Sequence, residues 1–256
     1  MATGPDRREV TGETASRAAR GWWDANASEY LVEHGEFLAA GLVWGPEGAT
    51  EAELALLAPY SGVLGLEIGS GAAQGAQYLA EQGAQVIAID LSFQMLAAST
   101  HALLAQADAR ELPFLDETFD FVFSAYGALP FLPNAGQVLA EWTRVLKRGG
   151  RLVFSVTHPI RWAFPDSPNL DGLTATGSYF DRRAYVELDE IGNVSYSEHH
   201  RTIGDWIDAI SVADLQLVRL IEPEWKSSNQ ETWGGWSPLR GTHIPGTAIF
   251  SCRRPD

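Results

Sequence analysis

Residues 63–75 read VLGLEIGSGAAQG, and this stretch predicts a buried strand that turns sharply into a helix. The mostly apolar run carries one acid, Glu67, and leads directly into spaced glycines. Glycines allow a tight turn and let a ligand lie against bare peptide groups. A second apolar run, residues 86–89, ends in another acid, Asp90. A glycine loop followed by an acid at the tip of the next strand indicates a site for an adenosine-containing cofactor.

The spacing of the glycines separates the candidate cofactors. A dinucleotide fingerprint, G-x-G-x-x-G, needs a third glycine where this chain has Gln74, and glycine arrives one residue late, at Gly75. A phosphate-binding P-loop needs Gly-Lys-Ser/Thr, and no lysine is present in the loop. Glu67, two residues before the first glycine, would attract an ammonium group and repel a pyrophosphate. S-adenosylmethionine, which carries an amino group and a sulfonium, is therefore favoured over NAD, and an NAD-dependent dehydrogenase is disfavoured.

Apolar runs alternate with helical patterns along most of the chain. Strands are predicted at about 63–68, 85–90, 102–107, 119–124, 151–157, 215–222 and 247–253. Helices are predicted near 50–58, 73–82, 93–100, 135–147 and 203–213. This alternation predicts an α/β fold with a parallel, doubly wound sheet.

Five motifs follow one another in a family-like order: LEIGSG at 66–71, IDLS at 89–92, ADA at 107–109, LPF at 112–114 with Phe119-Asp120, and RVLKRGG at 144–150. With these motifs the chain resembles the class I S-adenosylmethionine-dependent methyltransferases, in particular the small-molecule, ubiquinone/menaquinone-methyltransferase-like group. The resemblance covers roughly residues 20–157. It implies a Rossmann-like, seven-stranded, doubly wound sheet, mostly parallel with an antiparallel last strand, and aromatic-rich cap segments lie outside it.

The resemblance also implies a reaction and its product. A methyl group would pass from S-adenosylmethionine to a small-molecule acceptor at O, N or C, leaving S-adenosylhomocysteine. The alternative is a protein that binds either cofactor form and catalyses a non-methylating reaction, or a non-catalytic binding module.

Residue by residue, the resemblance places the methionine end of the cofactor at the glycine loop, the ribose at Asp90 and the adenine at Asp108. Tyr30, in the W-x-x-x-A-x-x-Y pattern that begins at Trp23, would bond to the cofactor carboxylate, with helix packing as the alternative. The full set of expected cofactor residues is Tyr30, Glu67, Gly69, Ser70, Gly71, Asp90, Leu91, Asp108, Ala109 and Ser124.

His158 is the candidate catalytic residue. It directly follows the fifth predicted strand of the sheet, in Thr157-His158-Pro159, so its side chain is expected at the sheet edge beside the cofactor. There it could act as a general base towards an oxygen or nitrogen acceptor. The alternative is a loop histidine that hydrogen-bonds to the surrounding structure.

Tryptophans flank the cofactor half of the chain. None of the nine lies between residues 45 and 141. Segments rich in aromatic residues indicate an aromatic or apolar acceptor, although the same rings could close a small subsidiary core. The predicted acceptor residues are Trp23, His34, Tyr126, Arg161, Trp162, Tyr179, Trp233 and Trp236, with Arg240 as a further candidate by position.

Composition limits the partners. The 256 residues carry a net charge of −15 and only scattered pairs of basic residues, so nucleic acid is not an expected partner. A lone cysteine, Cys252, permits no intrachain disulfide and suits a reducing cytoplasm. No apolar stretch approaches the roughly 20 residues that span a bilayer, and no membrane partner is expected. His199-His200 and His243 have no carboxylates at ligand spacing, so no metal is expected.

The expected domain organisation is simple. Residues 1–20 are polar and predict a flexible tail without a signal peptide. Residues 21–256 would form a single methyltransferase domain, monomeric or homodimeric, with an N-terminal helical cap at 21–58. Two long segments without a clear period, 158–202 and 223–246, are expected to be inserted lids.

Overall fold

The computed structural model describes residues 6–256. In chain order its strands are β1 (Asp6–Arg8), β2 (Leu64–Ile68), β3 (Gln85–Asp90), β4 (Leu104–Gln106), β5 (Phe119–Ala125), β6 (Leu146–Thr157), β7 (Ala184–Leu188), β8 (Val194–Glu198), β9 (Gln216–Ile221) and β10 (Thr247–Arg253). Its helices are α1 (Gly12–Leu38), α2 (Glu51–Leu54), α3 (Gln74–Glu81), α4 (Phe93–Ala97), α5 (Ala135–Val145), α6 (Ile203–Val212) and α7 (Pro238–Gly241). Short 3-10 helices occur at Leu129–Phe131, Pro159–Ala163 and Leu170–Leu173.

A seven-stranded sheet in the order β4-β3-β2-β5-β6-β10-β9 forms the centre of the molecule. The strands from β4 to β6 pair in parallel. The last strand, β10, lies between β6 and β9 and is antiparallel to both. The predicted Rossmann-like sheet with its antiparallel last strand is therefore confirmed.

Both faces of this sheet are buried, which explains the continuous apolar runs of its strands. On one face Val122 and Phe154 pack with Trp142 of α5 and Trp206 of α6. On the other face Phe121 packs with residues such as Leu79 of α3. Two helical layers enclosing a sheet leave the carboxyl ends of the parallel strands as the natural ligand edge.

The N-terminal helix differs from the prediction of a flexible tail over residues 1–20. Residues 1–5 lie outside the described residues, but residues 6–8 form β1 and α1 begins at Gly12, after the N-cap Thr11. The first turns of α1 bury only small side chains, at Ala15, Ser16, Ala18 and Ala19. The tail was expected because the segment is polar, and a helix that packs through alanines lacks the large apolar stripe that would have indicated it.

The segment at 158–202 contains regular structure that the sequence did not indicate. β7 and β8 pair as an antiparallel hairpin, and β1 pairs with β7 so that Arg7 lies opposite Tyr185. The three strands form a small second sheet, and its β8 edge packs against α1. The start of the chain and the first predicted lid thus form one unit that supports the N-terminal helix.

A substitution in α1 tests whether its first turns are packed. Ala18→Asp would bury a charge on the packed face, and we expect it to lower the free energy of unfolding by more than about 2 kcal/mol. The neighbouring Arg17 is exposed, so Arg17→Asp should change that free energy by less than about 0.5 kcal/mol. Denaturant unfolding of both variants provides the comparison, and equal stabilities would show that these turns are not packed.

Candidate cofactor and acceptor site

A cavity lies at the carboxyl ends of the central strands. Its floor is formed by the residues that follow β2, β3 and β5, and its roof by α1 and by the loop at 41–46. Trp233, from the second predicted lid segment, closes one side. Cofactor-type and aromatic residues therefore share one enclosure at the sheet edge.

The glycine loop requires glycine at two positions for steric reasons. Gly69 has φ of +67°, and a Cβ there would lie 2.5 Å from the backbone nitrogen of Ala128. A Cβ on Gly75 would lie 2.5 Å from Oε1 of Glu67. The glycine that arrives one residue late for a dinucleotide motif thus makes room for the Glu67 carboxylate.

Glu67 stands at the end of β2 and is only 4% exposed. Its Oε2 accepts a hydrogen bond from the backbone N–H of Ala76, at 2.7 Å, in the first turn of α3. That N–H has no partner within the helix, so the carboxylate caps α3 from a distant part of the chain. Burial, reinforced by the nearby charge of Asp90, raises the pKa of Glu67 to about 8 against the opposing effect of the Ala76 hydrogen bond.

Asp90 stands at the end of β3 and joins two loops. Its Oδ2 accepts from the backbone N–H of Gly71 and its Oδ1 from that of Ser92, both at 2.8 Å. Burial raises the pKa of Asp90 to about 6, although these hydrogen bonds oppose the shift. Each carboxylate oxygen has a second lone pair, so Asp90 can still accept from a ligand hydroxyl.

α1 is tied to the same corner through Asp24. Its Oδ1 accepts from the Ser92 hydroxyl at 2.6 Å and from the Gln94 backbone N–H at 3.2 Å. The helix is thereby held above Asp90.

Asp108 lies farther along the edge and has a cationic partner. Arg110 donates to both of its oxygens, with Nη2 2.8 Å from Oδ2 and Nε 3.1 Å from Oδ1. Burial raises the pKa of Asp108, but the hydrogen bonds and charge of Arg110 outweigh this and hold it below its ordinary value. A ligand amino group would meet a carboxylate that is already ionised.

The charged side chains of the cavity wall are all acidic: Glu67, Asp90 and Asp108. Among residues 6–256, no Lys, Arg or His forms an ion pair with Glu67 or Asp90, in contrast to the Arg110 partner of Asp108. A buried acid and a half-buried one without a cationic partner are costly to ionise, and a positively charged ligand would offset that cost. The floor of the cavity is therefore suited to a cation.

Opposite the glycine loop, five side chains form an aromatic wall: Trp23, Tyr30, Phe37, Phe131 and Trp233. The ring centroids of Trp23 and Tyr30 are 5.1 Å apart, and those of Tyr30 and Trp233 are 5.9 Å apart. The centroids of Phe37 and Trp233 are 5.4 Å apart, close to edge-on. These are favourable edge-to-face geometries, and the rings give this part of the cavity an apolar lining.

Most of the predicted cofactor residues lie on the cavity wall: Tyr30, Glu67, Gly69, Ser70, Gly71, Asp90, Leu91, Asp108 and Ala109. Ser124 does not. It is buried in β5, and the following residues Ala125 and Tyr126 reach the cavity instead. Of the predicted acceptor residues, the wall includes Trp23, Tyr126 and Trp233.

His158 is not on this wall, contrary to the expectation that it faces the cofactor. Its Nε2 lies 2.8 Å from Oε1 of Glu222, and its Nδ1 accepts from the backbone N–H of Ile160 at 3.1 Å. Burial lowers the pKa of His158, while Glu222 opposes the shift. Both ring nitrogens are engaged, and the ring caps the 3-10 helix at Pro159–Ala163. These contacts favour the alternative of a histidine that hydrogen-bonds to the surrounding structure.

The remaining acceptor candidates pack away from the cavity. His34 stacks on the far side of Trp233, with centroids 3.9 Å apart and the planes within 1°. Trp162 contacts Arg161, Tyr185 and His200 in the subsidiary core of the small sheet. The Tyr179 hydroxyl accepts from the Ile203 backbone, and Trp236 packs on Arg240. None of the five remaining acceptor candidates lines the cavity: His34, Arg161, Trp162, Tyr179 and Trp236.

The sequence did not predict several residues of the cavity wall, notably Ser16, Phe37, Leu42, Pro46, Met95 and Phe131. Ser16 lies in the supposed tail, where only the cap residue Thr11 and the alanine-rich run hinted at a helix. Phe37 lies at the end of α1, Met95 in α4 and Phe131 in a 3-10 helix, and only Leu42 and Pro46 come from a connecting loop. Which of these side chains face the cavity depends on tertiary packing.

Two negative observations concern the described residues. Across residues 6–256, no cluster of three or more His, Cys, Asp or Glu side chains could hold a metal ion. Over the same range, no helix combines the length and hydropathy that crossing a bilayer requires.

Comparison with known proteins places the chain in a family. Residues 66–154 match the model of a methyltransferase domain. A demethylmenaquinone methyltransferase of Clavibacter sepedonicus is 37% identical over 179 residues, which cover 62% of this chain and 69% of that relative. The chain belongs to the class I S-adenosylmethionine-dependent methyltransferases of the small-molecule group, whose cofactor is S-adenosylmethionine.

Other matches are shorter or show the fold alone. A demethylmenaquinone methyltransferase of Thermobifida fusca is 38% identical over 112 residues, covering 40% of this chain and 47% of the relative. The chain thus spans about half the length of that curated relative. A putative S-adenosylmethionine-dependent methyltransferase of Listeria monocytogenes superposes with a TM-score of 0.64 at 22% identity, covering 82% of this chain and 99% of that structure.

A conservative change at Asp90 tests its part in cofactor binding. Asp90→Asn replaces one acceptor oxygen by a donor, and we expect S-adenosylhomocysteine binding to weaken by about 1–3 kcal/mol in titration calorimetry. Asp116 has a side chain that is 75% exposed, and Asp116→Asn is the matched control with unchanged affinity. Equal affinities for both variants would remove Asp90 from the site.

The raised pKa of Glu67 predicts a pH dependence of stability. Its ordinary value is 4.5 and its folded value about 8, so its protonated form stabilises the fold at low pH. That contribution is fully present below about pH 4.5 and is lost as the pH rises through about 8. Glu67→Gln keeps the acceptor for Ala76 but cannot ionise. Unfolding measurements from pH 5 to 9 should show a flatter profile for Glu67→Gln than for the wild type, and parallel profiles would contradict the assignment.

Proposed function

We propose that this chain binds S-adenosylmethionine at the sheet edge and transfers its methyl group to a small, flat, aromatic or apolar acceptor. The observation that carries the proposal is the pair of neighbouring acids, the buried Glu67 and the half-buried Asp90, that lack a cationic partner among the described residues. A ligand with an ammonium and a sulfonium group complements them. A dinucleotide would bring a pyrophosphate to the same place.

The cofactor would lie along the ends of β2, β3 and β4. Glu67 and the glycine loop would face its methionine part, Asp90 its ribose hydroxyls, and Asp108 with Ala109 its adenine. Ser70 supports this placement, because its buried hydroxyl lines the cavity without a hydrogen-bond partner in the described structure. A carboxylate accepts readily from the two hydroxyls of a cis-diol, which suits Asp90.

The aromatic wall supports an acceptor with a flat ring. It carries no charged side chain, so an acceptor bound there would not be held by a carboxylate or phosphate group. Demethylmenaquinone, which appears in the names of the relatives, has such a ring and is the first acceptor to test. The acceptor atom, O, N or C, is left to the experiment.

When bound, S-adenosylmethionine supplies an electrophilic methyl group, and the task of the protein is mainly alignment and exclusion of water. α1 and Trp233 cover the cavity and can provide both. Burial raises the pKa of the Tyr30 and Tyr126 hydroxyls above the ordinary value, so both remain protonated near neutral pH. Tyr30 can orient an acceptor by hydrogen bonding, whereas the Tyr126 hydroxyl donates to the carbonyl oxygen of Gly246 at 3.1 Å. Neither tyrosine is a base.

Transfer of a labelled methyl group tests the proposal. The intact protein is incubated with methyl-labelled S-adenosylmethionine and a panel of demethylmenaquinone, phenols, amines and carboxylates. The proposal expects label in a ring-containing acceptor, with one S-adenosylhomocysteine formed for each methyl group transferred. Tight NAD binding without S-adenosylhomocysteine binding would contradict it. Cofactor binding without any methylated acceptor would favour a non-methylating reaction or a binding module.

Truncation of the aromatic wall should affect the acceptor more than the cofactor. Trp233→Ala removes the indole that closes one side of the cavity, and we expect the acceptor KM to rise about tenfold, since one lost aromatic contact is worth on the order of 1.4 kcal/mol. Phe180 is 69% exposed, so Phe180→Ala is a control that should leave KM unchanged. An unchanged KM in Trp233→Ala would exclude Trp233 from acceptor binding.

A further inference from the structure

The turn that carries Trp233 is short and closed on itself. The backbone N–H of Trp233 donates to the carbonyl of Trp236, and the N–H of Trp236 donates back, both at 2.9 Å. Gly234, between them, has φ of +54°. One indole, Trp233, lines the cavity, whereas Trp236 is buried at only 5% exposure.

Arg240 holds this turn from the interior. Its side chain is fully buried, and its Nη1 donates to the carbonyl oxygen of Gly235 at 2.8 Å. The guanidinium carbon lies 4.3 Å from the ring centroid of Trp236. The Ser237 hydroxyl donates to the Pro168 carbonyl at 2.6 Å and accepts from the Arg240 backbone N–H at 3.2 Å. The turn is thus joined to α7 through Arg240 and to the segment around Pro168 through Ser237.

The guanidinium is held without an ion pair. Among the described residues no carboxylate forms a salt bridge with Arg240, and its Nε and Nη2 have no hydrogen-bond partner. Burying a charge without an ion pair is costly. A guanidinium is less costly to bury than an ammonium because it is weakly hydrated, and its planar shape allows the contacts to both Gly235 and Trp236. Lysine would keep the charge but could not combine the stacking with the carbonyl contact.

On its other side the turn meets α1. Trp233 stacks on His34 and approaches Tyr30 and Phe37. Its ring is therefore confined between the helix and the anchored turn. Without the anchor, only the ring contacts with α1 and the hydrogen bonds within the turn would hold Trp233 in the aromatic wall.

We propose that Arg240 is a positioning residue for acceptor recognition: by anchoring Gly235 and Trp236 it fixes Trp233 in the cavity wall. The inference rests on the proposed function, because Trp233 matters only if the cavity receives an acceptor. Arg240 itself would touch neither the cofactor nor the acceptor. The position of Trp233 and the affinity for the acceptor can be measured separately.

The first experiment reads the position of Trp233 without any turnover. Full-length protein labelled with 5-fluorotryptophan is observed by ¹⁹F NMR, and Trp233→Phe assigns the Trp233 resonance. In Arg240→Lys and Arg240→Met this resonance should move towards that of an exposed tryptophan or split, while the core Trp142 resonance stays in place as a check of folding. Arg148→Lys, at an arginine that is 57% exposed, is the control. An unmoved Trp233 resonance in both Arg240 variants would overturn the proposal.

The second experiment is a double-mutant cycle on an acceptor identified by the methyl-transfer assay. Arg240→Lys should raise the acceptor KM about fivefold or more, with kcat and the affinity for S-adenosylhomocysteine changed less than about twofold. In the Trp233→Ala background the same substitution should have no further effect, because Arg240 acts on the acceptor only through the position of the Trp233 ring. An equal effect in both backgrounds would overturn the proposal. If wild-type protein binds no S-adenosylhomocysteine, the proposed function fails, while the ¹⁹F result still decides whether Arg240 positions Trp233.

Discussion

The hydrogen bond from the Ala76 N–H to the buried Glu67 carboxylate is the contact on which the site depends. It joins the end of β2 to the start of α3, and so determines the path of the glycine loop between them. Gly75 must lack a side chain because this carboxylate occupies the space. The bond also keeps an ionisable acid beneath the loop, beside Asp90. Because burial raises the pKa of Glu67 to about 8, a bound cation would favour its charged form. Loop shape and ligand charge thus have one physical origin.

The parts of the molecule determined by short-range patterns could be predicted from the sequence. Buried parallel strands are continuous apolar runs. Glu67, Gly69 and Gly71 lie where β2 ends, and Asp90 ends β3. These residues lie close together because parallel strands end at the same edge of the sheet. This is why the sheet and most of the expected cofactor residues coincide with the observed cavity wall.

Features that depend on long-range packing could not be predicted in this way. His158 directly follows β6, but its ring turns to Glu222, which is 64 residues away. α1 packs through small side chains, and the strand that precedes it pairs with β7 across most of the chain. Trp233 and Trp236 look equivalent in sequence. Only the buried Arg240 beneath the turn makes one of them a wall residue and the other an anchor.

The most direct test of this account is a crystal structure of the intact protein with S-adenosylhomocysteine. The account predicts the ribose hydroxyls at the Asp90 carboxylate, the amino group above the glycine loop near Glu67, and the sulfur facing the aromatic wall that includes Trp233. Density for the ligand outside this cavity, or a ligand orientation with the sulfur turned away from the aromatic wall, would contradict it.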